Sequence, residues 1–236
     1  MSGIDDKRYD TVFLDVDGTL LWVDMDVEGY VEDLGSYSAN GPLTVERAAG
    51  PVWESLRRHI TENINYRTRE DLAAFKQDNA EQTARKLGLE APSEVLGEVA
   101  DRRIRFNPYP ESERVLEELR SLDLRLYVVS NWDVLLEEVL EDLGWRDYFE
   151  AVVTSAVVGI EKPEEGIFEE ALRVSGRSDE PERAVHVGND PVSDIRGAAE
   201  AGLDAILIDR KGDIEAPEAT ATLPDLNSLP GLLGGR

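Results

Sequence analysis

The sequence predicts an α/β fold built on a doubly wound parallel sheet, with a helical subdomain inserted into it. Five short apolar runs rich in β-branched residues have the length and near-continuous apolarity of strands buried on both faces. These runs cover residues 11–15, 125–130, 151–154, 184–188 and 204–208. Helical patterns over 134–143, 164–175 and 191–201 separate the last four runs, and each stops just before a glycine, as helices commonly do. Alternating strands and helices favour right-handed crossovers within one parallel sheet.

The stretch between the first and second runs is too long for a single crossover and is predicted to be mostly helical from residue 44 to residue 105. Its first helical pattern starts at Val45 and is expected to break at Gly50-Pro51. Thr68 is expected to cap a second helix, because threonine accepts backbone hydrogen bonds at helix N-termini. A third helix is expected to open at Pro92-Ser93 and to carry Ile104 on its apolar side.

Domain boundaries follow from this pattern. Residues 1–20 and 106–236 are predicted to form the α/β core, and residues 21–105 are predicted to form the inserted helical subdomain. Within the insertion, residues 24–41 are acidic and rich in Gly, Ser and Asn, and they carry no pattern that assigns a helix or a strand.

Composition narrows both the class of protein and the class of partner. The chain has no cysteine and two histidines, so a disulfide framework, a thiolate nucleophile and a cysteine-based metal site are excluded. The net charge of −25 opposes binding to nucleic acid and to anionic membranes, and it mildly favours a monomer over a homodimer. No apolar run approaches the ~20 residues of a membrane span, and Met1–Asp10 lacks a signal-peptide pattern. We therefore expect a soluble cytoplasmic protein.

Two carboxylates at the end of the first run carry the strongest chemical signal. Asp15 and Asp17 are two residues apart on a predicted strand, so their side chains project to the same side. Two adjacent negative charges attract a cation, and Gly18 allows the backbone to turn sharply and approach a ligand. This pattern indicates phosphoryl chemistry with a hard cation, although a strand that simply ends in an Asp-Gly turn has the same sequence.

Polar or charged residues follow other predicted strands as well. Ser130-Asn131 ends the second strand, and Lys162 precedes the helix that follows the third. Asn189-Asp190, with Asp194 close behind, follows the fourth. Each of these alone has a structural explanation as a helix cap, a solvated lysine or a partner of a helix dipole. Together they predict one site, because ligands of open α/β sheets bind outside the carboxyl ends of the strands.

These groups together resemble the ordered motifs of the haloacid dehalogenase (HAD) superfamily, and especially its small-molecule phosphatase branch. The motifs are Asp15-Val16-Asp17-Gly18-Thr19, Ser130-Asn131, Lys162-Pro163 and Gly188-Asn189-Asp190 followed by Asp194. The resemblance implies a Rossmann-like core, and it implies that the helical insertion is the cap subdomain of that family.

The resemblance also implies a role for each residue. Asp15 corresponds to the nucleophile that forms an aspartyl-phosphate, Asp17 to the general acid and base, and Lys162 to the countercharge of the phosphate. The groups expected to bind the substrate phosphate are Gly18, Thr19, Ser130, Asn131 and Lys162. The implied cofactor is Mg²⁺, and its expected surroundings are Asp15, the carbonyl of Asp17, Asn189 or Asp190, and Asp194.

One position departs from the family pattern. The last motif of the family usually begins Gly-Asp, and here Asn189 occupies the place of that aspartate. Either Asn189 binds the ion through its amide oxygen, or Asp190 replaces it as the ligand.

The function predicted from the sequence is a Mg²⁺-dependent phosphatase acting on a small phosphorylated metabolite. Asp17 argues against a 2-haloacid dehalogenase, because the departure of a halide needs no proton from an acid. A phosphomutase remains an alternative, since the core residues do not distinguish it. A binding module weakened at Asn189 is a further alternative.

Overall fold

The computed structural model describes residues 9–234, and the chain divides into two compact units. The first unit comprises the chain up to Trp22 and from Pro108 onward, and the second comprises Val23–Asn107. The predicted absence of a signal peptide concerns Met1–Asp10, and residues 1–8 of that segment lie outside the described residues. Between residues 9 and 234, no helix is both long enough and apolar enough to cross a membrane.

The strands and helices alternate along most of the chain. The strands are β1 Thr11–Leu14, β2 Leu21–Met25, β3 Ile104–Pro108, β4 Arg125–Ser130, β5 Ala151–Thr154, β6 Ala184–Gly188, β7 Asp204–Ile208 and β8 Ala221–Leu223. The α-helices are α1 Val27–Leu34, α2 Val45–Glu62, α3 Arg69–Leu87, α4 Ser93–Arg102, α5 Ser112–Ser121, α6 Leu136–Asp142, α7 Ser155–Val158, α8 Glu165–Ser175, α9 Gly197–Glu200 and α10 Leu229–Leu233.

The first unit contains a parallel sheet that confirms the predicted fold class. Within residues 9–234, this sheet has six strands in the order β5-β4-β1-β6-β7-β8, and the paired strands run parallel. All five apolar runs read from the sequence are strands of this sheet. Every residue of β1 is buried, as expected for a strand covered on both faces.

The register of the central strands brings their carboxyl ends to one level. Leu14 at the end of β1 pairs with Val128 of β4 on one side and with Val187 of β6 on the other. The residues that follow β1, β4 and β6 therefore meet at the same edge of the sheet. Between β6 and α9 the chain forms a π-helical turn over Pro191–Arg196, where the sequence predicts the start of an ordinary helix.

The second unit is mostly helical, with its own apolar core between α1, α2, α3 and α4. The predicted break at Gly50-Pro51 is wrong, because α2 runs without interruption from Val45 to Glu62 with Pro51 inside it. Burial of Ala48, Val52 and Leu56 on one face of α2 compensates for the hydrogen bond that Pro51 cannot donate.

Two short strands in the second unit were not predicted. Strands β2 and β3 form a two-stranded sheet, and β3 begins at Ile104, which the sequence placed on a helix. Helix α4 ends at Arg102, and Thr68 caps α3 as expected by accepting from the backbone N–H of Asp71.

Candidate active site

A buried lysine lies between two carboxylates at the carboxyl edge of the sheet. Lys162 Nζ donates to Asp15 Oδ1 at 2.7 Å and to Asp194 Oδ1 at 2.5 Å, and it also donates to the carbonyl oxygen of Val129 at 3.0 Å. The whole Lys162 residue is 3% exposed. The sequence therefore identified three residues that the fold brings into direct contact from three distant parts of the chain.

The Asn131 side chain bonds to the backbone of Lys162 through both its nitrogen and its oxygen. Its Nδ2 donates to the Lys162 carbonyl oxygen at 2.9 Å, and its Oδ1 accepts from the Lys162 backbone N–H at 2.8 Å. This two-point contact fixes the backbone from which the lysine side chain reaches Asp15. The assignment of Asn131 to the substrate phosphate stays a prediction, and its side chain also holds the backbone of Lys162.

Asp15 is almost fully enclosed and accepts hydrogen bonds from three residues. Besides Lys162, Ser130 Oγ donates to Oδ1 at 3.0 Å and Thr19 Oγ1 donates to Oδ2 at 3.1 Å. Burial raises the pKa of Asp15, and the charge of Lys162 only partly opposes this effect. A cation close to the carboxylate lowers the pKa and favours the ionised form that a nucleophile requires.

Asp194 acts on the lysine from the opposite side. It accepts from His186 Nε2 at 2.9 Å and from the backbone N–H of Asp190 at 2.9 Å, in addition to Lys162. Burial alone would raise the pKa of Asp194, but the Lys162 charge and the His186 hydrogen bond outweigh burial and hold it below its usual range. With these donors around it, Asp194 orients Lys162, and its place near the metal ion stays a prediction.

Asp17 lies on the turn that follows β1 and is exposed to solvent. Gly18, the next residue, has a φ of +84°, a conformation that a side chain would strain. A Cβ atom at Gly18 would lie 2.4 Å from the Asn189 amide. The glycine therefore permits both the turn that carries Asp17 and the close approach of Asn189.

The side chains of Asn189 and Asp190, the two alternatives for the last motif, have different surroundings. Asn189 Oδ1 lies 3.3 Å from Thr19 Oγ1, the same hydroxyl that contacts Asp15 Oδ2, so the amide oxygen faces the site. The carboxylate of Asp190 is exposed and caps the following turn by accepting from the backbone N–H groups of Val192 and Ser193. Asn189 therefore faces Asp15 and Thr19 and Asp190 caps the next turn, while the choice of ligand between them stays a prediction.

These oxygens suit a small divalent cation. Across the described residues, no three histidine or acidic side chains are grouped so as to hold a metal. Mg²⁺ does not require such a group, because it commonly uses one or two carboxylates and completes its shell with water and substrate phosphate. The Asp15 carboxylate and the Asn189 amide oxygen are donors of that kind, and the Asp17 carbonyl stays a ligand predicted from the resemblance.

Two residues of this edge were not identified from the sequence. His186 lies in the middle of a buried strand and contacts Asp194, and the ring of Phe168 packs edge-on against it at 5.3 Å. Arg210 follows β7, and its Nη2 donates to the Thr19 carbonyl at 2.9 Å. His186 is only eight residues from Asp194, but a histidine inside a buried strand gives no signal of that contact, and the contact of Arg210 with Thr19 joins residues 191 apart.

Comparison with known proteins identifies the family. A family model described as "haloacid dehalogenase-like hydrolase" matches residues 9–202, which include every residue described at this sheet edge except Arg210. The chain belongs to the haloacid dehalogenase-like hydrolases. The resemblance inferred from the four motifs is thereby confirmed.

Several relatives of this HAD-like hydrolase have names that indicate an activity. This chain is 34% identical over 207 residues to glyceraldehyde 3-phosphate phosphatase of Methanothermobacter thermautotrophicus, with 84% of both chains covered. A solved structure of 2-haloacid dehalogenase from Pseudomonas syringae pv. Tomato DC3000 aligns with a TM-score of 0.61 and 28% identity, covering 96% of this chain and 98% of that one. A HAD phosphatase from Thermococcus onnurineus aligns with a TM-score of 0.61 and 25% identity, covering 96% and 99%.

Proposed function

We propose that this HAD-like hydrolase is a Mg²⁺-dependent phosphatase that removes phosphate from a small phosphorylated metabolite through an aspartyl-phosphate on Asp15. The observation that carries the proposal is the contact of Asp15 with Lys162, Ser130 and Thr19, together with a second, exposed carboxylate on Asp17. The relative named glyceraldehyde 3-phosphate phosphatase supports a phosphorylated substrate.

In the first half of the reaction, a carboxylate oxygen of Asp15 attacks phosphorus and the bond from phosphorus to the ester oxygen breaks. Asp17 in its protonated form gives a proton to the departing alkoxide. The Lys162 ammonium and the Ser130 hydroxyl stabilise negative charge on the phosphoryl oxygens.

In the second half, the Asp17 carboxylate takes a proton from a water molecule, and the resulting hydroxide attacks phosphorus. The bond between phosphorus and the Asp15 oxygen then breaks, which releases phosphate and restores both carboxyl groups. Bound Mg²⁺ would supply positive charge that reduces repulsion between Asp15 and the incoming phosphate.

Asp17 is also the feature that favours a phosphatase over the dehalogenase activity named in one structural neighbour. An alkoxide is a poor leaving group unless it is protonated, whereas a halide leaves without a proton. An acid two residues after the nucleophile is therefore useful for phosphate esters and unnecessary for haloacids.

The test compares wild type with Asp15→Asn on p-nitrophenyl phosphate, with and without Mg²⁺, and on a panel of sugar, triose and nucleoside phosphates. We expect phosphate release by wild type only with the metal, and none by the variant. Isomerised product without free phosphate would identify a phosphomutase, and chloride release from 2-chloropropionate without phosphatase activity would identify a dehalogenase. No turnover of any substrate would favour a binding module. Cytoplasmic location and a monomeric state stay predictions of the sequence.

A further inference from the structure

Arg210 is held in a fixed position beside the turn that carries Asp17. Its Nη1 donates to Glu111 Oε1 at 2.8 Å and its Nη2 to the Thr19 carbonyl at 2.9 Å. The loop that presents it is itself pinned, because the buried Asp209 carboxylate accepts from three backbone N–H groups at 2.8 to 3.2 Å. The guanidinium thus forms a rigid link between the end of β7 and the turn after β1.

Aromatic contacts complete this arrangement. The Arg210 guanidinium carbon lies 3.3 Å from the centre of the Tyr109 ring, and the rings of Tyr109 and Trp22 are 5.1 Å apart. A cation over an aromatic face is attracted by the electrons of the ring, and more strongly where water is excluded. Burial raises the pKa of Tyr109, the Arg210 charge opposes this, and the charge of Asp17 adds to it, which reflects the proximity of all three groups.

The same segment also holds the next carbonyl of the turn. The Leu20 carbonyl accepts from the Tyr109 backbone N–H at 3.1 Å and from Ser112 Oγ at 2.6 Å. Two successive carbonyl groups, those of Thr19 and Leu20, are therefore fixed from the same side. Asp17 lies on the same turn and is exposed to solvent, so the hold on this turn contributes to the direction of its carboxylate.

We propose that Arg210 is a positioning residue that holds the turn from Asp17 to Leu20 so that the Asp17 carboxyl meets the leaving oxygen. The inference rests on the proposed function, in which Asp17 is the general acid. A guanidinium suits the task because its planar fork reaches Glu111 and the Thr19 carbonyl while it stacks on Tyr109, and a lysine ammonium supplies no such plane.

The proposal predicts a dependence on the leaving group. An acid or base contributes ~10²–10⁴-fold to a reaction, and a displacement of about 1 Å is enough to lose ~10²-fold. The loss falls on esters whose alkoxide needs a proton. p-Nitrophenolate departs without a proton from an acid. Transfer of the phosphoryl group from p-nitrophenyl phosphate to Asp15 therefore does not depend on the direction of the Asp17 carboxyl.

The experiment measures kcat/KM, which reports the steps up to formation of the aspartyl-phosphate, for Arg210→Met and Arg210→Lys. The substrates are p-nitrophenyl phosphate and the alkyl phosphate of the panel that wild type hydrolyses fastest. We expect a fall of ~10²-fold on the alkyl phosphate and of less than ~3-fold on the aryl phosphate. Arg120→Met is the matched control, because Arg120 also lies over a tyrosine ring and donates to a backbone carbonyl, at Asp147.

Equal losses on the two substrates would show that Arg210 only supports the fold, and unchanged activity on both would also overturn the proposal. If Arg210→Met does not fold, the same comparison is decided by Arg210→Lys, which keeps the charge and the length of the side chain. Absence of phosphate release by wild type on either substrate contradicts the proposed function itself, and the inference about Arg210 falls with it.

Discussion

Replacing Lys162 by methionine removes the single positive charge that the structure places between Asp15 and Asp194. The two carboxylate oxygens lie 2.7 Å and 2.5 Å from Nζ. They are therefore no more than about 5 Å from each other, which corresponds to a repulsion of ~3 kcal/mol at an effective dielectric constant of ~20. Breaking a buried ion pair by removing one partner typically destabilises a protein by ~3–5 kcal/mol. We expect Lys162→Met to lower the free energy of unfolding by that amount at pH 7.

The assay is urea denaturation followed by circular dichroism, with linear extrapolation to water. The control is Lys211→Met, because Lys211 belongs to the same unit but is exposed, and its loss is expected to change stability by less than ~0.5 kcal/mol. The double variant Lys162→Met/Asp194→Asn leaves only Asp15 charged and is expected to be more stable than Lys162→Met.

The pH dependence of stability gives a second test of the charges around Lys162. Without Lys162 the pKa values of both buried carboxyls rise, and burial holds that of Asp15 further above its value in the unfolded chain, so the folded state binds protons more tightly as the pH falls. The deficit of Lys162→Met relative to wild type is therefore expected to shrink between pH 7 and pH 5. A loss of stability below ~1 kcal/mol at pH 7, or one that grows as the pH falls, would contradict the view that Lys162 balances the charges of Asp15 and Asp194.

Three further outcomes follow from the structure. Asn189→Asp is expected to bind Mg²⁺ about tenfold more tightly in calorimetric titration, because it adds a negative charge that faces the site. Asp190→Asn keeps a good helix cap and is expected to leave the Mg²⁺ affinity unchanged. Equal changes of affinity in the two variants would contradict the choice of Asn189 as the ligand. Gly18→Ala is expected to lower both stability and Mg²⁺ affinity, since its Cβ would meet the Asn189 amide. Burial raises the pKa of Tyr30 to about 12, so the free energy of unfolding is unaffected by this group below pH 10.0 and falls as the pH rises from there towards 12. Tyr30→Phe is expected to reduce this alkaline loss of stability, measured by urea denaturation at several pH values. An unchanged loss would exclude Tyr30 as its source.

The strands of the large sheet are readable from the sequence because each is buried on both faces, so its apolar residues are nearly continuous. The short strands β2 and β3 are not, since their residues alternate irregularly between buried and exposed. The uninterrupted helix through Pro51 was also beyond local rules, because packing of its apolar face outweighs the missing hydrogen bond.

The site shows the same division between local and long-range information. Asp15, Ser130 and Lys162 are predictable because strand ends and short motifs place them. The amide of Asn131 and the carboxylate of Asp190 bond to backbone groups, and such bonding depends on backbone geometry that motif spacing does not reveal. His186 reaches the site through the turn that follows its own strand, and Arg210 through a contact with the turn after β1, 191 residues away in the chain.

The pairing of β2 with β3 has a consequence for how this enzyme can change over evolution. These strands stand near the two ends of the Val23–Asn107 unit and pair with each other, so the chain leaves and re-enters the α/β core through neighbouring strands. Because the two ends of the insertion are adjacent, we expect a segment of another length or sequence to join them without displacing β1 or β4. Changes of length within the inserted unit are therefore expected to leave the contacts of Lys162 with Asp15 and Asp194 in place.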